Sequence, residues 1–225
     1  MLEKLPEAVG HALEGQRAGI DKVLINSVHP SAALTAIALT SPAFQADSRL
    51  PERFTADGDG ASPPLNWQNV PPQTAALALI VEDADSPTPE PLVHAIVVDI
   101  DPQSTGLTEG EFRTPEDAVA ERLGRNSYLM RGWLPPDPPP GHGVHRYVFQ
   151  IFALSSGDSL STVPGRGEIA VAVRERAIGC GALIGTYQRE HPVRTEAPAT
   201  VPAAVEDRAP LDLEQGPVPA PTLPV

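Results

Sequence analysis

Imidazole, phenol and carboxylate side chains gather around three apolar segments of the sequence. His145 and Tyr147 begin the run HRYVFQIFAL, which follows the proline-dense loop WLPPDPPPGHG. β-Branched and aromatic residues in such a run favour a buried strand. Residues i and i+2 of a strand share a face, so we expect His145 and Tyr147 to point together and Arg146 to point the opposite way. These side chains would form one wall of a small pocket.

Carboxylates stand where a second apolar run ends. The segment TAALALIVEDADSP reads as a buried strand, and alternation would put Asp83 and Asp85 on one face and Glu82 on the other. Acids at the end of a strand often only solvate a turn. The next apolar run, PLVHAIVVDI, contains His94, and a buried imidazole needs a carboxylate or carbonyl partner. We expect Asp83, at the end of the preceding apolar run, to meet the imidazoles in one site.

Two kinds of chemistry fit this set of groups. The two acids together with His94 and His145 could ligate zinc or another divalent metal in a hydrolase. The same groups could instead bind phosphate without turnover, because charge-assisted hydrogen bonds are roughly twice as strong as neutral ones. The sequence contains no GxSxG, P-loop or HExxH pattern and no evident activated nucleophile. We therefore predict a binding protein, not an enzyme, with no cofactor and no resident metal.

Composition argues against several other classes of protein. The formal net charge of −13 disfavours nucleic-acid binding, which depends on clustered Lys and Arg. A single cysteine, Cys180, cannot form an internal disulfide and fits a reducing compartment. The amino terminus carries Glu and Lys too early for a secretory signal, and no stretch approaches the roughly 18 apolar residues of a membrane span. We expect a cytoplasmic protein that is not an integral membrane protein.

Three regions are predicted along the chain. Residues 1–33 include leucine and valine at helical spacing, so we expect an N-terminal amphipathic helix whose apolar side makes a homodimer conceivable. Residues 34–190 contain several strands without alternating helices, which favours a mostly antiparallel sheet or sandwich. Within them, apolar residues three or four apart predict a late helix over 168–190. Residues 191–225 hold eight of the 27 prolines and no aromatic residue, so a disordered tail is expected.

Four segments resemble the phosphatidylethanolamine-binding protein family, in its bacterial Raf-kinase-inhibitor-like branch. They are DGDGASPPLNW (57–67), EDADSP with the following His94, GHGVHRYVFQIFAL, and GALIGTYQR (181–189), which resembles the family's carboxy-terminal helix. The resemblance covers roughly residues 35–190. It implies a mostly β fold, an antiparallel β-sandwich of two sheets with a C-terminal helix, and a small anion pocket. The implied ligand is a phosphate or a phospholipid head group, and the implied partner is a protein kinase or protease that would be inhibited.

The resemblance also assigns residues to the pocket. The acids and the closing proline of EDADSP, the histidine of the next strand and the HRY motif all take pocket positions. Of the two proline pairs in WLPPDPPPG, Pro138 and Pro139 keep the family's spacing to the HRY motif, although the other pair can also be aligned. His142, between two glycines, is expected at the rim, and the family often has a cis bond at the position of Ser86–Pro87. The expected ligand-binding residues are Asp83, Asp85, Pro87, His94, Pro139, His145 and Tyr147.

Overall fold

The computed structural model of the protein describes residues 7–30, 33–114 and 120–189. The tail 191–225, for which we expect disorder, lies outside these residues. Three α-helices and nine strands are present in the described part of the chain. The helices are α1 (Glu7–Leu13), α2 (Leu24–Ser27) and α3 (Arg166–Arg176). The strands are β1 (Thr35–Ala36), β2 (Ala38–Thr40), β3 (Ser48–Arg49), β4 (Leu65–Gln68), β5 (Ala76–Asp83), β6 (Leu92–Ile100), β7 (Gly106–Leu107), β8 (His145–Leu154) and β9 (Ala177–Tyr187).

Two sheets form the body of the protein. The larger sheet has the order β1-β9-β8-β5-β6, and β3 pairs with the far end of β9. Its long strands β5, β6, β8 and β9 are antiparallel, while the two-residue strands β1 and β3 pair with β9 in parallel. The smaller sheet is antiparallel, in the order β2-β4-β7. The predicted mostly β sandwich is therefore confirmed.

The larger sheet is covered on both faces. On one face, Leu79 of β5 packs in a core shared with Trp67 of the smaller sheet. On the other face, Ile80 of β5 packs with Leu24 of α2 and Val173 of α3. This double coverage explains why β5 and β8 read as nearly continuous apolar runs instead of alternating apolar and polar residues.

The late helix ends earlier than the sequence predicts. Helix α3 stops at Arg176, and the following stretch, GALIGTYQR included, belongs mainly to strand β9. Burial along β9 alternates residue by residue, which is the period of a strand. A Cβ at Gly181 would collide with the Ile37 carbonyl, and one at Gly185 would collide with Leu50. The glycines admit close neighbours on the sheet, and their unfavourable helix propensity was the available signal against a helix.

The amino-terminal segment packs against the loop that precedes β8. Helix α1 is shorter than the predicted helix, and at Gly10 a Cβ would collide with the carbonyl oxygen of Pro140. After α1 the chain follows the end of β5, where the backbone N–H of Ala18 donates to the Ser86 carbonyl (2.9 Å). The backbone N–H of Leu24 then donates to the Glu82 carboxylate (2.6 Å). Residues of the predicted N-terminal extension thus support the segment that carries the acids.

Candidate functional site

A cavity of about 420 Å³ opens where β5 ends and where β6 and β8 begin. Because β5 is antiparallel to both neighbours, its last residue pairs with residues near the start of each: Asp83 with Leu92 and with Tyr147. This register brings the acid, the imidazoles and the phenol into one place. The predicted residues that line the cavity are Asp83, Pro87, His94, Pro139, His145 and Tyr147.

Asp85 does not line this cavity. Strand pairing ends at Asp83, whose Oδ1 accepts the backbone N–H of Asp85 (2.8 Å), so the chain turns and strand alternation no longer applies. The Asp85 carboxylate instead accepts two side-chain hydrogen bonds from Arg146 (both 2.7 Å) and contacts Arg17 (3.0 Å). Burial opposes ionisation of Asp85, but the hydrogen bonds from Arg146 and Arg17 outweigh it and lower the pKa. The structure therefore does not place Asp85 with the other expected ligand-binding residues.

Asp83, His145 and His142 form a continuous hydrogen-bonded chain. Oδ2 of Asp83 lies 2.7 Å from Nδ1 of His145, and Nε2 of His145 lies 2.6 Å from Nδ1 of His142. Nε2 of His142 then reaches the carbonyl oxygens of Leu13 (2.8 Å) and Gln16 (3.1 Å). His142 is fully buried, so the expectation of a rim position was wrong. Both nitrogens of His145 have protein partners, which leaves neither of them for a ligand.

His94 is held by a backbone carbonyl and not by Asp83. Its Nδ1 lies 2.6 Å from the carbonyl oxygen of Leu134, an acceptor, which assigns the proton of a neutral ring to Nδ1. Nε2 of His94 is buried and has no hydrogen-bond partner. Burial lowers the pKa of His94, although the charge of Asp83 partly opposes this shift. The free protein therefore presents a lone pair of His94 to the cavity.

Tyr147 presents the second polar atom without a partner. Its side chain is fully buried, its ring meets that of His94 edge-on at a centroid distance of 5.0 Å, and its hydroxyl has no hydrogen-bond partner. Burial, assisted by the negative charge of Asp83, raises its pKa well above the ordinary value. The phenol therefore keeps its proton and can act as a donor. As expected, Tyr147 and His145 share a face (ring centroids 6.4 Å apart), and Arg146 points away.

Two charged residues of the site were missed by sequence reasoning. Asp137 lies among the prolines that line the cavity, and its carboxylate pairs with Arg189 (2.8 Å). Arg189 also binds Asp57 (2.7 Å) and donates to the Pro138 carbonyl (3.2 Å), so it joins the loop before β8 to the chain after β9. Asp137 stands inside WLPPDPPPG, but nothing in that motif indicates a partner some 50 residues away.

Prolines and other apolar side chains complete the wall. Pro135, Pro138 and Pro139 all line the cavity, so the proline pair favoured by spacing does face it, and one proline of the other pair does too. The Ser86–Pro87 bond is trans, contrary to expectation. A mostly apolar cavity with a few convergent polar groups is typical of small-molecule sites.

A family model described as phosphatidylethanolamine-binding protein matches residues 40–188. The chain belongs to the phosphatidylethanolamine-binding protein family. A relative from Methanothermobacter thermautotrophicus, named UPF0098 protein, is 36% identical over 67% of this chain and 98% of its own length. The match begins after α1 and α2, so the amino-terminal residues that hold His142 lie outside the part shared with the family model.

Solved structures of phosphatidylethanolamine-binding proteins share this architecture. A homologue from Chlamydia trachomatis is 31% identical and superposes with a TM-score of 0.62, covering 69% of this chain and 99% of its own. Escherichia coli YbcL, described as a member of the mammalian family, gives a TM-score of 0.63 at 23% identity, covering 68% of this chain and 99% of its own. The second likeness concerns the fold alone. No helix in the described ranges is long and apolar enough to span a membrane.

The arrangement of donors does not suit the metal-dependent alternative. Asp85 is turned away from the other three predicted ligands, and both nitrogens of His145 are engaged. Among these four residues, only Nε2 of His94 lacks a hydrogen-bond partner within the protein, since both oxygens of Asp83 are also engaged. Accordingly, residues 7–30, 33–114 and 120–189 contain no group of three or more histidine, cysteine and acidic side chains placed to hold a metal ion.

In the described part of the chain, neither the Ser86 hydroxyl at the cavity nor the Cys180 thiol, which lies farther along β9, has a base as its partner. Ser86 lines the cavity, but its Oγ is engaged by Thr88 (2.8 Å), by the Asp83 carbonyl (3.2 Å) and by the backbone N–H of Leu92 (3.2 Å). Cys180 lies in β9 and not in a helix, and burial raises the pKa of its thiol. Neither arrangement activates a nucleophile.

Proposed function

We propose that this protein binds a phosphate-bearing ligand of the phospholipid head-group type in the cavity at the end of β5, without chemical turnover. The observation that carries the proposal is the pair of buried polar atoms with no protein partner, the Tyr147 hydroxyl and Nε2 of His94. An unsatisfied buried polar group is destabilising by about 1–3 kcal/mol, so two of them on one cavity point to a ligand that satisfies both.

The two groups differ in what they offer a phosphate. The Tyr147 hydroxyl donates a hydrogen bond directly to a phosphate oxygen. Neutral His94 offers a lone pair, so a hydrogen bond to phosphate requires one proton, carried either by the phosphate or by the ring. A phosphodiester carries no such proton, and its binding would therefore be coupled to protonation of His94. Binding of a phosphomonoester can use the monohydrogen form, whose pKa is near 6.

Ion pairs near the cavity support binding of an anion despite the acidic chain. Asp83 is paired with His145, and Asp137 is paired with Arg189, so each carboxylate at the cavity has a basic partner. The prolines and Leu134 exclude water, which strengthens any hydrogen bond formed inside. The same wall suits the apolar part of a lipid next to its head group.

Binding without turnover is favoured over hydrolysis by the engaged hydroxyls and by the scattered metal-ligand candidates described above. Inhibition of a protein kinase or protease, a homodimer and a cytoplasmic location remain predictions from the sequence. Each concerns a partner or compartment, not the chemistry of the cavity.

Isothermal titration with a panel of soluble head groups tests the proposal. We expect inorganic phosphate, phosphoethanolamine and glycerophosphoethanolamine to release or absorb heat with saturation at one site per chain. Ethanolamine, which lacks phosphate, is the matched control and should not bind. Saturation by ethanolamine alone, or no saturation by any phosphate compound, would contradict the proposal, and measurable hydrolysis of glycerophosphoethanolamine would refute the absence of turnover.

A further inference from the structure

Three consecutive large apolar side chains are exposed beside the cavity. Tyr128, Leu129 and Met130 are 43%, 77% and 53% exposed, and we call them the 128–130 tip. Tyr128 and Met130 also line the cavity, so the tip lies at its mouth. Single exposed apolar residues are ordinary on soluble proteins, but adjacent ones next to a binding cavity indicate an interaction surface.

The 128–130 tip is held in a defined conformation. The buried Asn126 side chain accepts hydrogen bonds from the backbone N–H groups of Tyr128 (3.0 Å) and Met130 (3.2 Å). The backbone N–H of Asn126 donates to the Met130 carbonyl (2.8 Å), which closes the loop. Leu129 has φ 60°, a left-handed conformation that side chains like leucine rarely adopt. The loop therefore keeps Leu129 outward in a strained conformation and does not fold it into the apolar core.

Two exposed arginines, Arg122 and Arg125, precede the tip in the chain. The backbone of Arg125 pairs across the loop with that of Arg131, which is half-buried and donates from Nε to the Leu123 carbonyl (3.2 Å). We call Arg122 and Arg125 the basic collar. Glu121 is the only acidic residue between positions 120 and 131, whereas the whole chain carries a net charge of −13. An apolar tip with a basic collar is thus a local exception to the acidity of the chain.

We propose that the 128–130 tip enters the head-group region of an anionic lipid membrane, with the basic collar against the lipid phosphates. The cavity would then take its head group directly from the bilayer surface, and in this respect the inference rests on the proposed function. Apolar side chains flanked by Lys and Arg bind the membrane interface, and tyrosine is favoured at that depth. A protein partner fits the tip less well. Each side of a stable protein interface buries about 800 Å², which is more surface than three side chains provide.

Vesicle flotation with the full chain tests membrane docking. One set of vesicles contains phosphatidylcholine alone, and the other contains phosphatidylcholine with phosphatidylglycerol. We expect the wild type to float with the anionic vesicles more than with the neutral ones, and salt should weaken this preference. Leu129→Asn removes the apolar side chain while suiting the left-handed backbone, and it should reduce binding by about tenfold. Val171→Asn, at an exposed valine of α3, is the matched control and should bind as the wild type does.

Titration of each variant with glycerophosphoethanolamine separates the two proposals. Leu129 does not line the cavity, so Leu129→Asn should bind the soluble head group as the wild type does. If the wild type binds soluble head groups but neither kind of vesicle, membrane docking is overturned and a protein becomes the better occupant of the tip. Equal flotation of Leu129→Asn and the wild type also overturns it. Tip-dependent flotation without soluble head-group binding supports docking and refutes only the pocket proposal.

Discussion

Nδ1 of His142 lies 2.6 Å from Nε2 of His145, and this contact ties the binding cavity to the amino-terminal segment. The carbonyl oxygens of Leu13 and Gln16 can only accept, so Nε2 of His142 carries a proton. One proton then lies between the two rings, and one lies between His145 and Asp83. Three protons on two imidazoles and one carboxyl make the network electrically neutral as a whole. The amino-terminal carbonyls thereby fix which nitrogen of His142 donates in the network that reaches the cavity.

Replacing His142 tests this link. His142→Ala would leave Nε2 of His145 and the Leu13 carbonyl without partners and would open a small void. We expect the free energy of unfolding to fall by about 2–4 kcal/mol. Chemical denaturation with urea measures it. His29→Ala, at an exposed histidine, is the matched control and should stay within about 0.5 kcal/mol of the wild type. An equally small change in His142→Ala would show that the network does not hold the structure.

Stability should depend on pH through the buried histidines. Burial lowers the pKa of both His94 and His142, and the nearby positive charge of His145 also lowers that of His142. The unfolded chain therefore binds these protons more readily than the folded protein does. Stability should be full above the ordinary histidine pKa of about 6.5 and should fall as the pH decreases through and below it.

Melting temperatures at about pH 7.5 and about pH 5.5 check this linkage. We expect the melting temperature of His94→Phe to decrease less on acidification than that of the wild type, because this variant lacks one group that must remain neutral when folded. The melting temperature of the control His29→Ala should decrease as much as that of the wild type. The same decrease in His94→Phe and the wild type would contradict the inference that folding keeps this imidazole neutral.

Substitutions of Asp83 and Asp85 should differ in their effects on ligand binding and on stability. Asp83→Asn removes the negative charge that favours protonated His94 at the cavity, so we expect binding of glycerophosphoethanolamine to weaken by on the order of 1–2 kcal/mol. Asp85→Asn breaks the contacts with Arg17 and Arg146 on the opposite side and should leave binding unchanged. Because both arginines are partly exposed, we expect Asp85→Asn to lower the free energy of unfolding by only about 1–2 kcal/mol. Titration and urea denaturation of both variants give the comparison, and weaker binding in Asp85→Asn would contradict the observed geometry.

Ligand binding should also weaken as the pH rises. If a phosphodiester requires protonated His94, its affinity should fall by about tenfold per pH unit once the pH exceeds the pKa of His94 in the complex. Titration of glycerophosphoethanolamine in buffers of different ionisation enthalpy would reveal uptake of up to one proton. A pH-independent affinity without proton uptake would mean that His94 does not contact the phosphate.

Local patterns predicted the strands β5, β6 and β8, and six of the seven expected ligand-binding residues line the cavity. Alternation correctly placed His145 with Tyr147, and Glu82 opposite Asp83, because both pairs lie inside strands, β8 and β5. The prediction failed at Asp85, where the strand had already ended.

Longer-range partners could not be read from local sequence. The positions of His142 and Asp137 depend on Leu13 and Arg189, which are distant in the chain and enter through tertiary packing. The helical spacing in β9 was also misleading, since a 3.6-residue period and a two-residue period coincide at several positions of a short apolar run. The glycines in that run, which are unfavourable in a helix, carried the better signal.

The hydroxyl of Tyr147 is the most direct probe of the proposed function. Tyr147→Phe removes one oxygen that has no partner in the free protein, so the free energy of unfolding should stay the same or rise. The same change removes a donor to the ligand phosphate, and titration with glycerophosphoethanolamine should show affinity weaker by about 1.5–3 kcal/mol. Weaker binding with unimpaired stability is the result expected for a ligand-directed hydroxyl. Unchanged affinity in Tyr147→Phe would contradict phosphate binding in this cavity.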